Sequence, residues 1–161
     1  MKAARVLIAG IGNIFLGDDA FGVEVAKRMA GRPMAPDIRV VDFGIRGIDL
    51  AYALLENYER IILVDTALRG EAPGTLYLIE PLVEESGTMR THEMRPVEAL
   101  SAARAMGAGL ANVVIVGCEP ESFGTEDELQ TGLSVTVAAA VDEAVAMIEG
   151  LAAGAREAAD A

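Results

Sequence analysis

Short, dense apolar runs alternate along this chain with longer segments whose apolar residues recur every three or four positions. The runs at 4–9, 38–43 (IRVVDF), 60–64 (RIILV) and 112–117 (NVVIVG) have the length and β-branched content of buried strands. The stretch 75–79 is shorter and alternates, which predicts an antiparallel strand near a sheet edge. Helical spacing covers 20–30, where Val23, Val25, Ala26, Met29 and Ala30 form the apolar stripe and Gly31 and Pro33 close it. Three more helices are predicted. The first covers 48–57. The second covers 93–106, with Val97, Leu100, Ala103 and Ala105 inward. The third covers 133–151, with Val137, Ala140, Val141, Ala144, Val145 and Ile148 inward. Residues 81–91 read as irregular, and 119–132 as a polar, solvated loop.

The order βαβαββαβα implies an α/β fold: one three-layer domain with a mostly parallel, twisted sheet of about five strands. One strand is antiparallel, and helices cover both faces. The domain is expected to span 1–153, with the Ala-rich 154–161 as a frayed tail. No repeat or linker marks a second domain. In such a sheet, strand one is expected between strands two and three, and ligands bind outside the carboxyl ends of strands where the order reverses. The turn after strand one and Asp65, which ends strand three, should then face one crevice.

Composition narrows the chemistry. A chain of 161 residues can bury about 70% of its unfolded surface, enough for a core without covalent staples. One cysteine, Cys118, rules out an internal disulfide and a Cys-based zinc cluster. It reads as a small buried residue rather than a nucleophile. A formal charge of −12 argues against nucleic acid or an anionic membrane as partner. No apolar run reaches the roughly 20 residues of a membrane span, and no signal-peptide pattern opens the chain. A cytoplasmic address is the expectation.

The candidate chemistry gathers at 10–22, GIGNIFLGDDAFG, between the first strand and the first helix. A Gly-rich turn in that place usually cradles phosphate on backbone N–H groups, and Gly10, Gly12, Asn13 and the later Asp42 and Gly44 could be read that way. The third glycine of a dinucleotide loop is missing, because position 15 is Phe15. Asp18 and Asp19 also crowd the spot with negative charge, which repels a pyrophosphate and attracts a cation. Adjacent residues on a helix start point apart, so Asp18 is assigned to capping the helix and Asp19 to the crevice. Asp65 closes a strongly apolar run, where a carboxylate is costly unless paired, bonded or on a metal. His92 is the only histidine and precedes a helix. Asp19, Asp65 and His92 together would make an open site for a divalent transition ion. Two other readings stand beside it: a Rossmann-like nucleotide-binding domain without catalysis, and a pure interaction module.

These residues resemble those of the hydrogenase maturation endopeptidases, which process the large subunit of nickel–iron hydrogenases. The resemblance covers about 6–149. It is carried by GIGNIFLGDDAFG, DFGIRG at 42–47, the strand ending in Asp65, APGT at 72–75, His92 before a helix, and GCEPES at 117–122. It implies an α/β fold related to phosphorylase-type hydrolases. It also implies removal of a C-terminal extension from the large-subunit precursor after nickel insertion. On this likeness Asp19, Asp65 and His92 contact the nickel, which the substrate supplies or another divalent ion replaces, and no nucleotide takes part. The chemistry could be a metal-activated water or an aspartate acid/base pair. Two departures stand out: Asp19 where some members carry Glu, and Phe43-Gly44-Ile45 where many carry a GGT-type turn.

Overall fold

The computed structural model describes residues 5–81, 96–110, 112–125 and 127–160. Its elements run β1 (Val6–Ile11), α1 (Phe21–Ala30), β2 (Ile38–Gly44), α2 (Gly47–Ala53), β3 (Arg60–Thr66), β4 (Leu76–Ile79), α3 (Pro96–Ala105), β5 (Val113–Cys118) and α4 (Val135–Asp160). Two short 3-10 turns, Gly17–Ala20 and Leu54–Glu56, lead into α1 and out of α2. The strands form one sheet in the order β2-β1-β3-β5-β4. Neighbours pair in parallel except β4, which lies antiparallel to β5 at the sheet's edge.

Alternation along the three central strands splits the core into two layers. Val6, Ile8, Ile62, Val64, Val114 and Val116 point to one face, where Phe21, Val25 and Met29 of α1 and the Val137-to-Ile148 stripe of α4 cover them. Leu7, Ala9, Ile61, Leu63, Val113 and Ile115 point to the other, against Leu50 of α2, Leu54, and Ala99, Leu100 and Ala103 of α3. A strand buried on both faces cannot show polar alternation, which is why these segments read as unbroken apolar runs.

Most elements fall where the periodicity places them, and the differences have local causes. β1 runs two residues further into the glycine turn, because Gly10 and Ile11 still pair with Asp42 and Gly44 across a register shift that leaves Phe43 bulged. β3 continues through Asp65 and Thr66, opposite Gly117 and Cys118. On α3 it is Ala99 that is buried, while Ala105 is exposed; Ala30 at the end of α1 is exposed as well. α4 continues to Asp160, past the expected end at Leu151. Glycines at 150 and 154 lower helix propensity without forbidding it, and Ala152 is still buried. Among the described residues no helix is long and apolar enough to cross a membrane.

One contact sets how closely α1 lies on the sheet. A Cβ built on Gly22 would stand 2.0 Å from the Val64 carbonyl oxygen and 2.4 Å from that of Ile11. A Cβ on Gly10 would stand 2.3 Å from the Gly22 carbonyl oxygen. The helix therefore rests backbone against backbone on β1 and β3, with no room for a methyl group. Gly22→Ala should cost about 3 kcal/mol or more, at or beyond the usual overpacking range, because backbone rather than a flexible side chain must move. Urea denaturation checks this, and a cost below about 1 kcal/mol would show that the helix can lift freely.

Candidate functional site

The order reversal falls between β1 and β3, since β2 lies on one side of β1 and β3 on the other. Four loops meet at this carboxyl-end rim: residues 12–20 after β1, 45–46 after β2, 67–75 after β3 and 119–134 after β5. Gly12 shapes the first. Its φ is +148°, and a Cβ there would fall 1.8 Å from the Asp19 carbonyl oxygen, so only glycine fits. Its N–H donates to the Gly44 carbonyl at 3.0 Å, joining the first two loops. Gly44 itself is left-handed at φ +54°.

Asp19 is half-buried on this rim. Its Oδ2 accepts the Asn13 N–H at 3.0 Å, and its Oδ1 accepts the Thr66 hydroxyl at 3.4 Å. Thr66 follows Asp65 directly, and the Thr66 N–H donates to Asp65 Oδ1 at 2.8 Å. The two carboxylates picked out from the sequence therefore share a neighbour at one end of the sheet, although 46 positions separate them in the chain. The Asn13 and Gly12 N–H groups, which a phosphate would need, are already bonded within the protein. His92 lies outside the described residues. Among the described residues, no group of three or more His, Cys, Asp or Glu is placed to hold a metal ion.

Beside Asn13 a groove of about 330 Å3 opens between the loops after β1 and β2. Asp42, Phe43, Gly44 and Arg46 line one side, and Gly12, Asn13 and Phe15 the other. Ile14, Phe15 and Ile45 expose 42%, 51% and 56% of their surfaces at its mouth, a large apolar exposure for a turn region. The Arg46 guanidinium bonds to the Asp42 carbonyl at 2.6 Å and to Asp49 at 3.3 Å, and lies 5.9 Å from the Phe43 ring centre. The groove thus has largely apolar walls, with the Arg46 cation and Asp42 in its lining.

Asp18 does not cap α1, contrary to the sequence assignment. That helix has no side-chain cap. Asp18 is fully buried and turns the other way, into the loop before α4. Oδ2 accepts the Glu121 N–H at 2.8 Å, the Ser122 N–H at 3.1 Å and the Ser134 hydroxyl at 2.9 Å; Oδ1 accepts the Ser134 N–H at 2.7 Å. The Ser134 hydroxyl in turn accepts the Val137 N–H at 3.4 Å in the first turn of α4. Asp18 is an acid at a helix start, as expected, but the helix is α4.

Glu119 is the second correction. The sequence predicts a solvated polar loop here, yet Glu119 is 2% exposed. Its Oε1 accepts the Tyr77 hydroxyl at 2.6 Å and the N–H groups of Arg69 and Glu71 at 2.9 and 3.1 Å. Glu121, Asp127 and Glu128 in the same loop are exposed, as expected. The Tyr77 bond, followed by the backbone bonds, holds the Glu119 carboxyl below the usual range despite its burial. Burial, then the Glu119 bond, pushes the Tyr77 hydroxyl up to about 12. Cys118 is buried, and burial, then the charges of Asp18 and Glu119, push its thiol up to about 12, which leaves it protonated and inert at neutral pH.

Glu119 escaped sequence reasoning although the rule applied to Asp65, a carboxylate ending an apolar run, fits it equally. Ser134, just ahead of an apolar-periodic helix, carries an N-cap signal. Thr66 had no local signal, because its partner is distant in the chain.

Burial pushes the Asp18 carboxyl up, but the three backbone bonds and the serine hydroxyl outweigh this and hold it below its ordinary 3.8. A lowered folded-state pKa stabilises the fold fully above the unfolded value and loses that contribution as pH falls through the folded one. Wild-type stability should therefore drop as pH falls below about 4. Asp18→Asn sets an amide NH2 against N–H donors and should cost about 3 kcal/mol at pH 7, the scale of one or two charge-assisted bonds. It should also flatten the acid limb of stability against pH. Urea titrations of both proteins between pH 2 and 7 check this; parallel curves would remove Asp18 as the source.

Residues 23–151 match the family model described as hydrogenase maturation protease. The chain is 31% identical over 151 residues to the hydrogenase 2 maturation protease of Escherichia coli K12, covering 89% of this chain and 88% of that protein. Its fold superposes on the hydrogenase maturating endopeptidase HybD from E. coli with a TM-score of 0.74 at 28% identity, over 96% of this chain and 93% of the other. It also superposes on the hydrogenase 2 maturation peptidase from Thaumarchaeota archaeon SCGC_AB-539-E09 with a TM-score of 0.69 at 31% identity, over 92% and 98% of the two chains.

Proposed function

The chain belongs to the hydrogenase maturation protease family, and from that premise we propose that it removes the C-terminal extension of a nickel–iron hydrogenase large-subunit precursor once nickel is in place. The observation that carries this reading is the convergence of Asp19 and Asp65 through Thr66 at the sheet's carboxyl-end rim. Their oxygens, with His92, would take open positions on nickel that the substrate's own thiolates hold. The metal arrives as part of the substrate, so the enzyme acts only on a client already loaded.

Peptide-bond hydrolysis needs a polarised carbonyl and an activated water. In this reading the substrate's nickel supplies the Lewis acidity. The chain's own residues orient it: Asn13 N–H and Thr66 hydroxyl fix both oxygens of Asp19, and the Thr66 N–H fixes one oxygen of Asp65. The groove beside Asn13 would seat the extended chain near the cut, with apolar side chains against Phe15, Phe43 and Ile45. No nucleotide is proposed, because the amides of the glycine turn are already engaged and a carboxylate occupies the phosphate position.

The test is incubation with nickel-loaded and nickel-free precursor, read by intact mass. Wild-type protein is expected to release the extension only from the loaded form; efficient cleavage of nickel-free precursor would favour an aspartate acid/base pair. Asp19→Asn should slow processing at least about 100-fold, the scale of losing one group fixed at a reacting centre. Its stability should stay within about 1 kcal/mol, since an amide oxygen can still accept the Asn13 N–H. His92→Ala is likewise expected to abolish processing. Full activity in either variant would remove that residue from the site.

A further inference from the structure

Glu119 is a buried carboxylate with no part in the chemistry proposed above, and its bonds all lead to one place. The chain leaves β3 at Asp65 and Thr66, and the Ala67 N–H still bonds to the Cys118 carbonyl at 2.9 Å. Beyond that, the 67–75 loop is tied down mainly by one residue. Glu119 Oε1 takes the Arg69 and Glu71 N–H groups, the Glu119 carbonyl takes the Gly74 N–H at 2.9 Å, and the Glu119 N–H donates to the Thr75 carbonyl at 2.8 Å. Tyr77 of β4 shares the same oxygen, and its ring carries the Arg69 guanidinium 5.4 Å from its centre. Leu68, at the loop's outer turn, is 75% exposed, so it adds little burial to hold the loop.

We infer that Glu119 is a positioning residue for the proposed site: through the 67–75 loop it holds Asp65, and with it the Thr66–Asp19 contact, in working geometry. The inference rests on the assignment of Asp65 to the site. The physical basis is local. Asp65 and Thr66 pair with β5 alone, because the ladder to β1 stops at Val64 opposite Gly10. The loop that follows them supplies the remaining restraint. A carboxylate oxygen that gathers three donors is a strong anchor, because hydrogen bonds to an ion are about twice as strong as neutral ones. A displacement near 1 Å at a reacting group can cost on the order of a hundredfold in rate.

The test compares Glu119→Ala, Glu119→Gln and Glu119→Asp with wild-type protein on nickel-loaded precursor, at a temperature where circular dichroism shows each folded. Glu119→Ala is expected to lower kcat about 10- to 100-fold with KM within about threefold. Glu119→Gln keeps the shape and one acceptor oxygen, and should recover to within about threefold of wild type. Glu119→Asp pulls the carboxylate back by one methylene and should behave like the alanine variant, which keeps the test open if alanine does not fold. A raised KM with unchanged kcat would overturn the inference, since the loop would then touch substrate instead of placing Asp65. Wild-type kcat in both the Ala and Asp variants would overturn it too. A second readout needs no precursor: the backbone amide resonances of Asp65, Thr66 and Asn13 should shift in Glu119→Ala and return in Glu119→Gln. Unmoved resonances would contradict positioning even if the wild-type protein cleaved nothing, the result that would count against the proposed function itself.

Discussion

A buried negative charge holds this rim together. Asp18 is fully enclosed, and four donors from a loop more than 100 positions away close around its two oxygens. An unpaired carboxylate in that place would be expensive; a fully bonded one makes a rigid joint. The joint is reinforced by backbone pairing between the same two loops: Gly17 N–H to the Gln130 carbonyl, Gln130 N–H to the Phe15 carbonyl and Asp18 N–H to the Ser122 carbonyl. Asp19 is the next residue, so its side chain is aimed by a neighbour that cannot turn. The adjacent aspartates divide the work, one bound inside and one facing the rim.

Glu119 repeats the pattern on the far side of Asp65. Each half-buried acid of the proposed site thus has a buried acid close by in the chain or across the ladder, and the buried acid holds a loop. The sheet supplies the common frame. Its order reversal brings the ends of β1 and β3 side by side, and the glycine contacts of Gly10 and Gly22 let α1 lie close enough to present the 3-10 turn at that point. A cluster of acids on a chain of net charge −12 would repel itself unless most members were bonded to N–H and O–H donors, as Asp18 and Glu119 are.

The fold was legible because its strands are buried on both faces and its helices have clear apolar stripes. The α4 stripe from Val137 to Ile148 is buried residue for residue as the spacing predicts. The antiparallel edge strand at 76–79 was legible from its alternation alone. Asp65 could be picked out because it closes an apolar run, and Asp19 because it stands in the turn between the first strand and the first helix, in a sheet that needs its ligands there. What sequence could not reveal was direction. Nothing in DD says which aspartate turns inward, because the donors that decide it, at Glu121, Ser122 and Ser134, come from the opposite end of the chain. Glu119 was misjudged for a related reason: it opens a polar, acidic stretch, and its burial depends on Tyr77 and on a loop contributed by another strand.

The most direct measurement of this constraint is amide hydrogen exchange by NMR at Glu121, Ser122 and Ser134, expressed as protection against each residue's intrinsic rate. A caged Asp18 carboxylate requires all three amides to be strongly protected at pH 7 and to lose protection together as the carboxyl is protonated in acid. Exchange at pH 7 as fast as that of exposed loop amides such as Glu128, or protection indifferent to acid, would contradict it.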